Sequence, residues 1–218
     1  MTTPWTAWPR RALRLAATAL PRSLVTFSGP STRRQLALTF DDGPDTLLPE
    51  YLDVLDRFDA RCTFFLVGAQ CQRRPDFVLE IIRRGHEVAS HGYSHQLFPG
   101  MTGVQLDDEV QRTAALLPPS VASRPLIRPP QGAKSVGSLL HLGYLGYRTV
   151  FWSLDSDDCR TRDPDVIVTR VTEKARPGEI VLLHEGQAWT LEALPRLLER
   201  LTSDGYRLVT VSELLRLY

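Results

Sequence analysis

The sequence predicts an α/β fold built on a mostly parallel sheet, either open or closed into a barrel. Three observations predict it. Strand-like and helix-like segments alternate from Leu36 to the C-terminus. The Cys62–Val67 run is continuously apolar, as suits a strand covered on both faces. The polar residues with chemistry fall where the strand-like runs end, the rim on which parallel sheets build their sites.

The first strand, Leu36 to Phe40, alternates apolar with smaller or polar residues and stops at Asp41-Asp42-Gly43-Pro44, a turn signal. Successive strand side chains point opposite ways, so the two aspartates are free to hold different jobs. Leu48 to Phe58 follows with apolar residues at helical spacing, and Cys62 to Val67 completes a βαβ unit. Phe77 to Arg84 is a helix ended by Gly85, and His86 to Ser90 a third strand. Thr102 to Leu117 is helical and stops at Pro118-Pro119.

A brief fourth strand, Leu126 to Arg128, precedes a second Pro-Pro. Ser135 to Leu142 is a helix ended by Gly143, and Tyr147 to Leu154 is a fifth strand. Asp163-Pro164 opens a helix running to Ala175, with proline in its first turn. Glu179 to Leu183, a helix over Leu191 to Leu201, a seventh strand at Tyr206 to Val209 and a closing helix from Ser212 to Leu217 finish the pattern. No period of twenty to fifty residues recurs, which excludes a solenoid.

At 218 residues, 43% hydrophobic and 23% charged, the chain suits one well-buried domain. A formal charge of +1, with no Lys/Arg run interleaved with aromatics, gives no ground for nucleic-acid binding. Cys62, Cys71 and Cys159 are an odd set without C-x-x-C spacing, so neither a disulfide framework nor a thiolate metal site is expected.

Residues 1–35 differ in character and are expected to form an N-terminal extension to a domain spanning 36–218. Their Arg-rich apolar stretch is too short and too interrupted to span a bilayer. Arg14 and Arg22 also break any secretory apolar core, so a cytoplasmic chain, or one peripheral at the inner membrane, is expected over an exported one. Leu13, Leu20 and Leu24 with Trp5 and Trp8 would lie on a membrane surface or on the flank of the sheet.

The chemistry-bearing residues gather at one rim. Asp41 and Asp42 end strand one, His91 and His95 follow strand three, Arg128 ends strand four, Asp155 and Asp158 follow strand five, and His184 ends strand six. Two imidazoles four residues apart can converge on one metal, and Asp42 would complete a His₂-carboxylate set with positions left for water and substrate. Asp41 is then the neighbouring candidate base. His184 is either a core histidine satisfied by a carbonyl or an acid placed to protonate a leaving amine. His86 and His141 read as structural, and Asp155 as a shaper of its loop.

TFDDGP, the histidine pair of HGYSH, IRPPQG, the DSDDC stretch and VLLHEG, in that order, resemble the five motifs of the polysaccharide deacetylases, the NodB-homology or carbohydrate esterase family 4 domain. The resemblance covers Leu36 to the C-terminus. It implies a distorted, TIM-like (β/α) barrel of about seven strands and a bacterial hydrolase acting on an acylated amino sugar. It also implies a divalent ion, zinc with cobalt or nickel as substitutes, on Asp42, His91 and His95. Asp41 would be the base and His184 the acid; Arg128 would hold Asp41, and Asp158 would orient His184. The backbone N–H of Gln131 would help stabilise the oxyanion, and Leu182 would line the acetyl slot.

Three positions depart from the motifs: Gln131 replaces a tyrosine, Cys159 an aromatic, and Glu185 an aspartate. The expected activity is removal of N-acetyl from an N-acetylglucosamine-type sugar in an oligo- or polysaccharide. Deformylation or deacylation of a lipid-linked amino sugar, and a silent carbohydrate-binding module, are the competing readings.

Overall fold

Parallel strands cannot be joined by tight hairpins, and the helices legible in the sequence supply the crossovers they need. The computed structural model describes residues 20–119 and 122–216. Its strands are β1 (Val25–Thr26), β2 (Gln35–Asp41), β3 (Thr63–Leu66), β4 (Glu87–Ser90), β5 (Leu126–Ile127), β6 (Arg148–Val150), β7 (Leu154–Asp155), β8 (Ile180–His184) and β9 (Arg207–Leu208). All named pairings among them are parallel, in the order β1-β6-β5-β4-β3-β2-β8-β7, with β9 joined to the start of β2.

The α-helices are α1 (Leu48–Arg57), α2 (Gly68–Arg73), α3 (Pro75–Arg83), α4 (Gly103–Ala114), α5 (Val136–Tyr144), α6 (Asp158–Thr161), α7 (Pro164–Lys174), α8 (Ala188–Ser203) and α9 (Val211–Leu215). Several start where side chains satisfy free N–H groups. Thr102 and Gln105 form a capping box at α4, Ser135 and Ser138 another at α5, and Asp163 accepts from Asp165 and Val166 at α7. Each such cap is worth about 1 kcal/mol. The short helices α2 and α6 were not expected from periodicity, which four to six residues cannot display.

The fifth strand anticipated over 147–154 is two strands in two places. β6 pairs β5, whereas β7 pairs β8 on the far side of the order. Residues 151–153 link them, and three extended residues span at most about 10 Å, so the chain itself closes the curled sheet into a distorted barrel. Within that link the Phe151 N–H donates to the Thr26 carbonyl at 2.8 Å and the Ser153 N–H to that of Ile180 at 3.1 Å.

Period-two alternation sorts the strands into an outer and an inner face. On β2, Leu36, Leu38 and Phe40 join the large cluster under the helices, as do Val181 and Leu183 on β8. Truncating a residue such as fully buried Phe40 to alanine should cost about 3–5 kcal/mol. The alternate residues Ala37, Phe65, Leu126, Val150 and Ile180 fill the barrel floor. Continuing that inner face toward the C-terminal rim leads to Thr39, Asp41, Arg128 and His184.

Within residues 20–35 the described part of the chain joins the sheet and its flank. β1 is a sheet strand, and Leu20 and Leu24 pack on the flank beside Val25, Leu139 and Phe151. Trp5, Trp8 and Leu13 lie outside the described residues. Among the described residues no helix is long and apolar enough to cross a membrane.

Candidate active site and metal centre

Parallel register places the first pair of functional groups. Asp41 and His184 are cross-strand partners at the ends of β2 and β8, both on the inner face. Asp41 is almost fully buried, and its Oδ1 accepts from Arg128 Nη1 at 2.7 Å. Arg128 is wholly buried. It donates also to Thr39 Oγ1 at 2.8 Å, to the Val150 carbonyl at 3.1 Å and to the Phe151 carbonyl at 3.3 Å, with its guanidinium 4.0 Å from the Phe65 ring centre. Burial pulls the guanidinium pKa down and Asp41 opposes that pull. Asp41 Oδ2 remains on the site side, 3.7 Å from His91 Nε2.

Asp42 leaves the strand in the left-handed region, φ 76, which turns its side chain away from the course of Asp41. Its Oδ1 lies 3.5 Å from His91 Nε2 and 3.1 Å from His95 Nε2. Burial alone would raise the Asp42 carboxyl, but the two imidazoles hold it far below the usual carboxylate range. The Asp42 carboxylate in turn raises the pKa of His95. His91 Nδ1–H donates to the Arg128 carbonyl at 2.7 Å. A carbonyl only accepts, so the neutral ring keeps its lone pair on Nε2, aimed at Asp42 and His95.

This donor set fits a divalent cation. One oxygen and two imidazole nitrogens, one from each residue, lie within 4.8 Å of one another. Tetrahedral zinc with bonds of about 2.0–2.1 Å has neighbouring ligands about 3.3 Å apart, close to the two Asp42–His separations.

His184 stands opposite. Its Nδ1–H donates to Asp158 Oδ1 at 2.7 Å, while Asp158 Oδ2 accepts from the His184 N–H at 2.7 Å and from Thr190 Oγ1 at 2.9 Å. Burial acts to lower the His184 pKa, and bonded Asp158, with the charges of Asp41 and Asp42, carries it up to about 9. The imidazole is therefore a cation with a proton available at Nε2 at neutral pH. Of its two sequence readings, the core histidine satisfied by a carbonyl does not describe it.

The remaining expected positions sit around this centre. Gln131 is exposed in the 3-10 turn Pro130–Gly132 at φ 55. Leu182 is 5% exposed on β8 two residues before His184, in register with Thr39 and Asp155. Asp155 Oδ1 accepts from the Asp157 N–H at 2.8 Å, shaping the loop as expected. Cys159 is exposed at the rim. An open recess of about 550 Å³, bounded by Leu97, Pro99 and Met101 among others, borders His95. His86 and His141 lie elsewhere: His86 Nδ1 accepts from the Cys62 N–H at 3.2 Å, and His141 pairs with Asp107 at 2.7 Å.

Several supporting residues escaped the sequence reading. Trp189 Nε1–H donates to the Asp158 carbonyl at 2.8 Å, and Thr190 holds the Asp158 carboxylate. Glu185, marked by the sequence only as a departure from the fifth motif, is 4% exposed, and its Oε1 accepts from the Asp45 N–H at 2.7 Å. Glu109 of α4 accepts from the loop carrying the two histidines. A signal for Glu109 existed: it shares a helical stripe with Leu106, Val110 and Thr113, an odd place for an unpaired carboxylate.

The family model for polysaccharide deacetylases matches residues 28–150. A peptidoglycan-N-acetylglucosamine deacetylase of Bacillus cereus is 37% identical over 90% of this chain and 95% of its own length. A chitooligosaccharide deacetylase of Sinorhizobium fredii is 34% identical, over 78% of this chain and 86% of its own. Peptidoglycan-N-acetylglucosamine deacetylase PgdA of Listeria monocytogenes is 32% identical over 84% of this chain, which spans 39% of that longer protein.

Among solved structures, a peptidoglycan N-acetylglucosamine deacetylase bound to 4-naphthalen-1-yl-N-oxidanyl-benzamide superposes with a TM-score of 0.86. It is 27% identical, over 97% of this chain and 99% of that one. A pseudoenzyme of carbohydrate esterase family 4 from Bacillus anthracis superposes at 0.81 and 27% identity, over 91% of this chain and 70% of that one.

Proposed function

The chain belongs to the polysaccharide deacetylase family, and from that premise we propose that it removes the N-acetyl group from N-acetylglucosamine-type sugars in peptidoglycan or chitooligosaccharides, using a divalent metal. It is a polysaccharide deacetylase-type hydrolase, acting on a non-peptide C–N bond. Because the fold also occurs in a pseudoenzyme, the observation that carries the reading is at residue level: Asp41 Oδ2 and the Asp42–His91–His95 set on one side, with a cationic His184 in register opposite.

Asp42, His91 and His95 would hold the cation, with zinc favoured by the N/O donor set. Bound there, such an ion polarises a carbonyl oxygen and makes water more acidic. Asp41 has one oxygen committed to Arg128 and the other free, so it can accept the proton of the attacking water at Oδ2. Arg128 keeps the carboxylate in that orientation through its four partners. His184, charged and steered by Asp158, can deliver its Nε2 proton to the amine nitrogen as the C–N bond breaks. Leu182 would border the acetyl methyl and the Gln131 N–H would donate to the developing oxyanion.

Acetate release from N-acetylchitooligosaccharides and from purified peptidoglycan, before and after chelation and zinc restoration, tests the proposal. Zinc-dependent release from either supports it. Formate release from an N-formyl sugar with no acetate would instead favour the lipid-linked alternative.

A further inference from the structure

The loop that carries both histidines leaves the sheet with its backbone polar groups satisfied from two sides. On one side the N-terminus of α2 reaches it: Gly68 N–H donates to the Gly92 carbonyl and Ala69 N–H to the Tyr93 carbonyl, both at 2.9 Å. On the other side stands the carboxylate of Glu109, only 7% exposed on α4. Its Oε2 accepts from Tyr93 N–H at 2.8 Å and from Ser94 N–H at 2.9 Å, and its Oε1 accepts from Ser94 Oγ at 2.6 Å. No cation is paired with this carboxylate among the described residues, so three hydrogen bonds from one short loop are what stabilise a buried charge.

That loop needs such a brace. Gly92 sits at φ 78 and His95 at φ 61, so it enters and leaves through left-handed backbone. A Cβ on Gly92 would stand 3.2 Å from Glu109 Oε2 and 3.1 Å from the Phe98 ring, so glutamate and loop are packed face to face. Tyr93 is pressed further against α4 by Arg112, whose guanidinium lies 3.5 Å from the ring centre.

The geometry points to Glu109 as a positioning residue of the metal centre: by gripping the backbone between His91 and His95 it fixes the spacing of the two imidazoles. This rests on the metal reading of the site given above. Glu109 does not touch the cation or the substrate. Its effect reaches the chemistry through the separation and tilt of two rings whose centroids are 5.1 Å apart.

The test compares zinc affinity, by chelator competition, in the parent, in Glu109→Gln and in Ser94→Ala, with unfolding of each metal-free protein measured alongside. Glutamine keeps the volume but brings an N–H₂ against the loop's donors. Glu109→Gln is expected to weaken zinc binding about 10–100-fold, as loss of outer-shell partners of metal ligands does. Its cobalt-substituted form should show a shifted visible absorption band. Ser94→Ala removes one of the three hydrogen bonds and should weaken zinc binding about threefold or more.

If Glu109→Gln does not fold, Ser94→Ala decides. Zinc affinities within about twofold of the parent, with an unshifted cobalt spectrum, would overturn the positioning role even if metal-free stability fell. A parent that binds no divalent ion would instead overturn the metal reading itself.

Discussion

Asp41 and Arg128 form an ion pair at 2.7 Å in which the arginine has no exposed surface and the aspartate almost none. A charge buried this deeply is tolerable only while its partner remains, so one carboxylate serves both the proposed chemistry and the fold.

Asp41→Asn should therefore lose activity and stability together. Turnover falls by roughly two to four orders of magnitude, and unfolding free energy drops by about 3–5 kcal/mol because Arg128 is left uncompensated. Adding Arg128→Met should restore part of the stability and none of the activity. Denaturant unfolding of the three proteins checks this; a double variant no more stable than Asp41→Asn would refute the uncompensated-charge account.

His184 sets the alkaline limb. Its folded pKa lies at about 9, above the ordinary histidine value, and the proposed acid is the protonated form. Activity should hold as pH rises past neutrality and fall through about 9. Asp158→Asn should move that limb down by about one pH unit or more. Because the folded pKa is the raised one, the stabilisation from this pair is complete below about 6.5 and is lost as pH rises through about 9. Rate profiles on both proteins at saturating metal measure the shift.

Metal content follows the three-residue set. The parent should carry about one divalent ion per chain, and His95→Ala should lose stoichiometric binding while keeping the far-ultraviolet dichroism of the fold. Elemental analysis after gel filtration reads it directly. An unchanged metal content in His95→Ala would remove His95 from the ligand set.

Glu185 offers a separate pH signature. Burial pushes its carboxyl up to about 8, while the Asp45 N–H pulls the other way. Between about pH 4.5 and 8 the unfolded chain has released this proton and the folded chain retains it, so the group lowers stability progressively across that window. Glu185→Gln should thus gain on the parent as pH rises from 5 to 8. Melting temperatures of the two metal-free proteins at several pH values measure it, and parallel curves would contradict the buried, protonated state.

Much of this was legible because strand periodicity and rim position reinforce each other. The adjacent aspartates at the end of β2 diverge, as alternation and a turn require, and His184 lies opposite because apolar β8 ends level with β2. The closing of the sheet was not legible: Tyr147–Leu154 has the composition of one strand, and only the three-dimensional curl separates β6 from β7. The braces were harder to read for a different reason. Glu109 and Glu185 act on backbone N–H groups, and a backbone partner leaves no mark in the residue types it binds; only the place of Glu109 on an apolar helical stripe hinted at its role.

The path of Arg128 across the barrel sets how molecules can travel. Its guanidinium reaches from β5 to carbonyls of β6 and 151 and to side chains of β2, above a floor of packed apolar residues. Among the described residues the bore is thus plugged beneath Asp41 and Arg128. On the proposed deacetylase reading, a glycan would lie along the outside and dip one acetamido arm inward from the C-terminal rim, and the acid released would back out by that same rim.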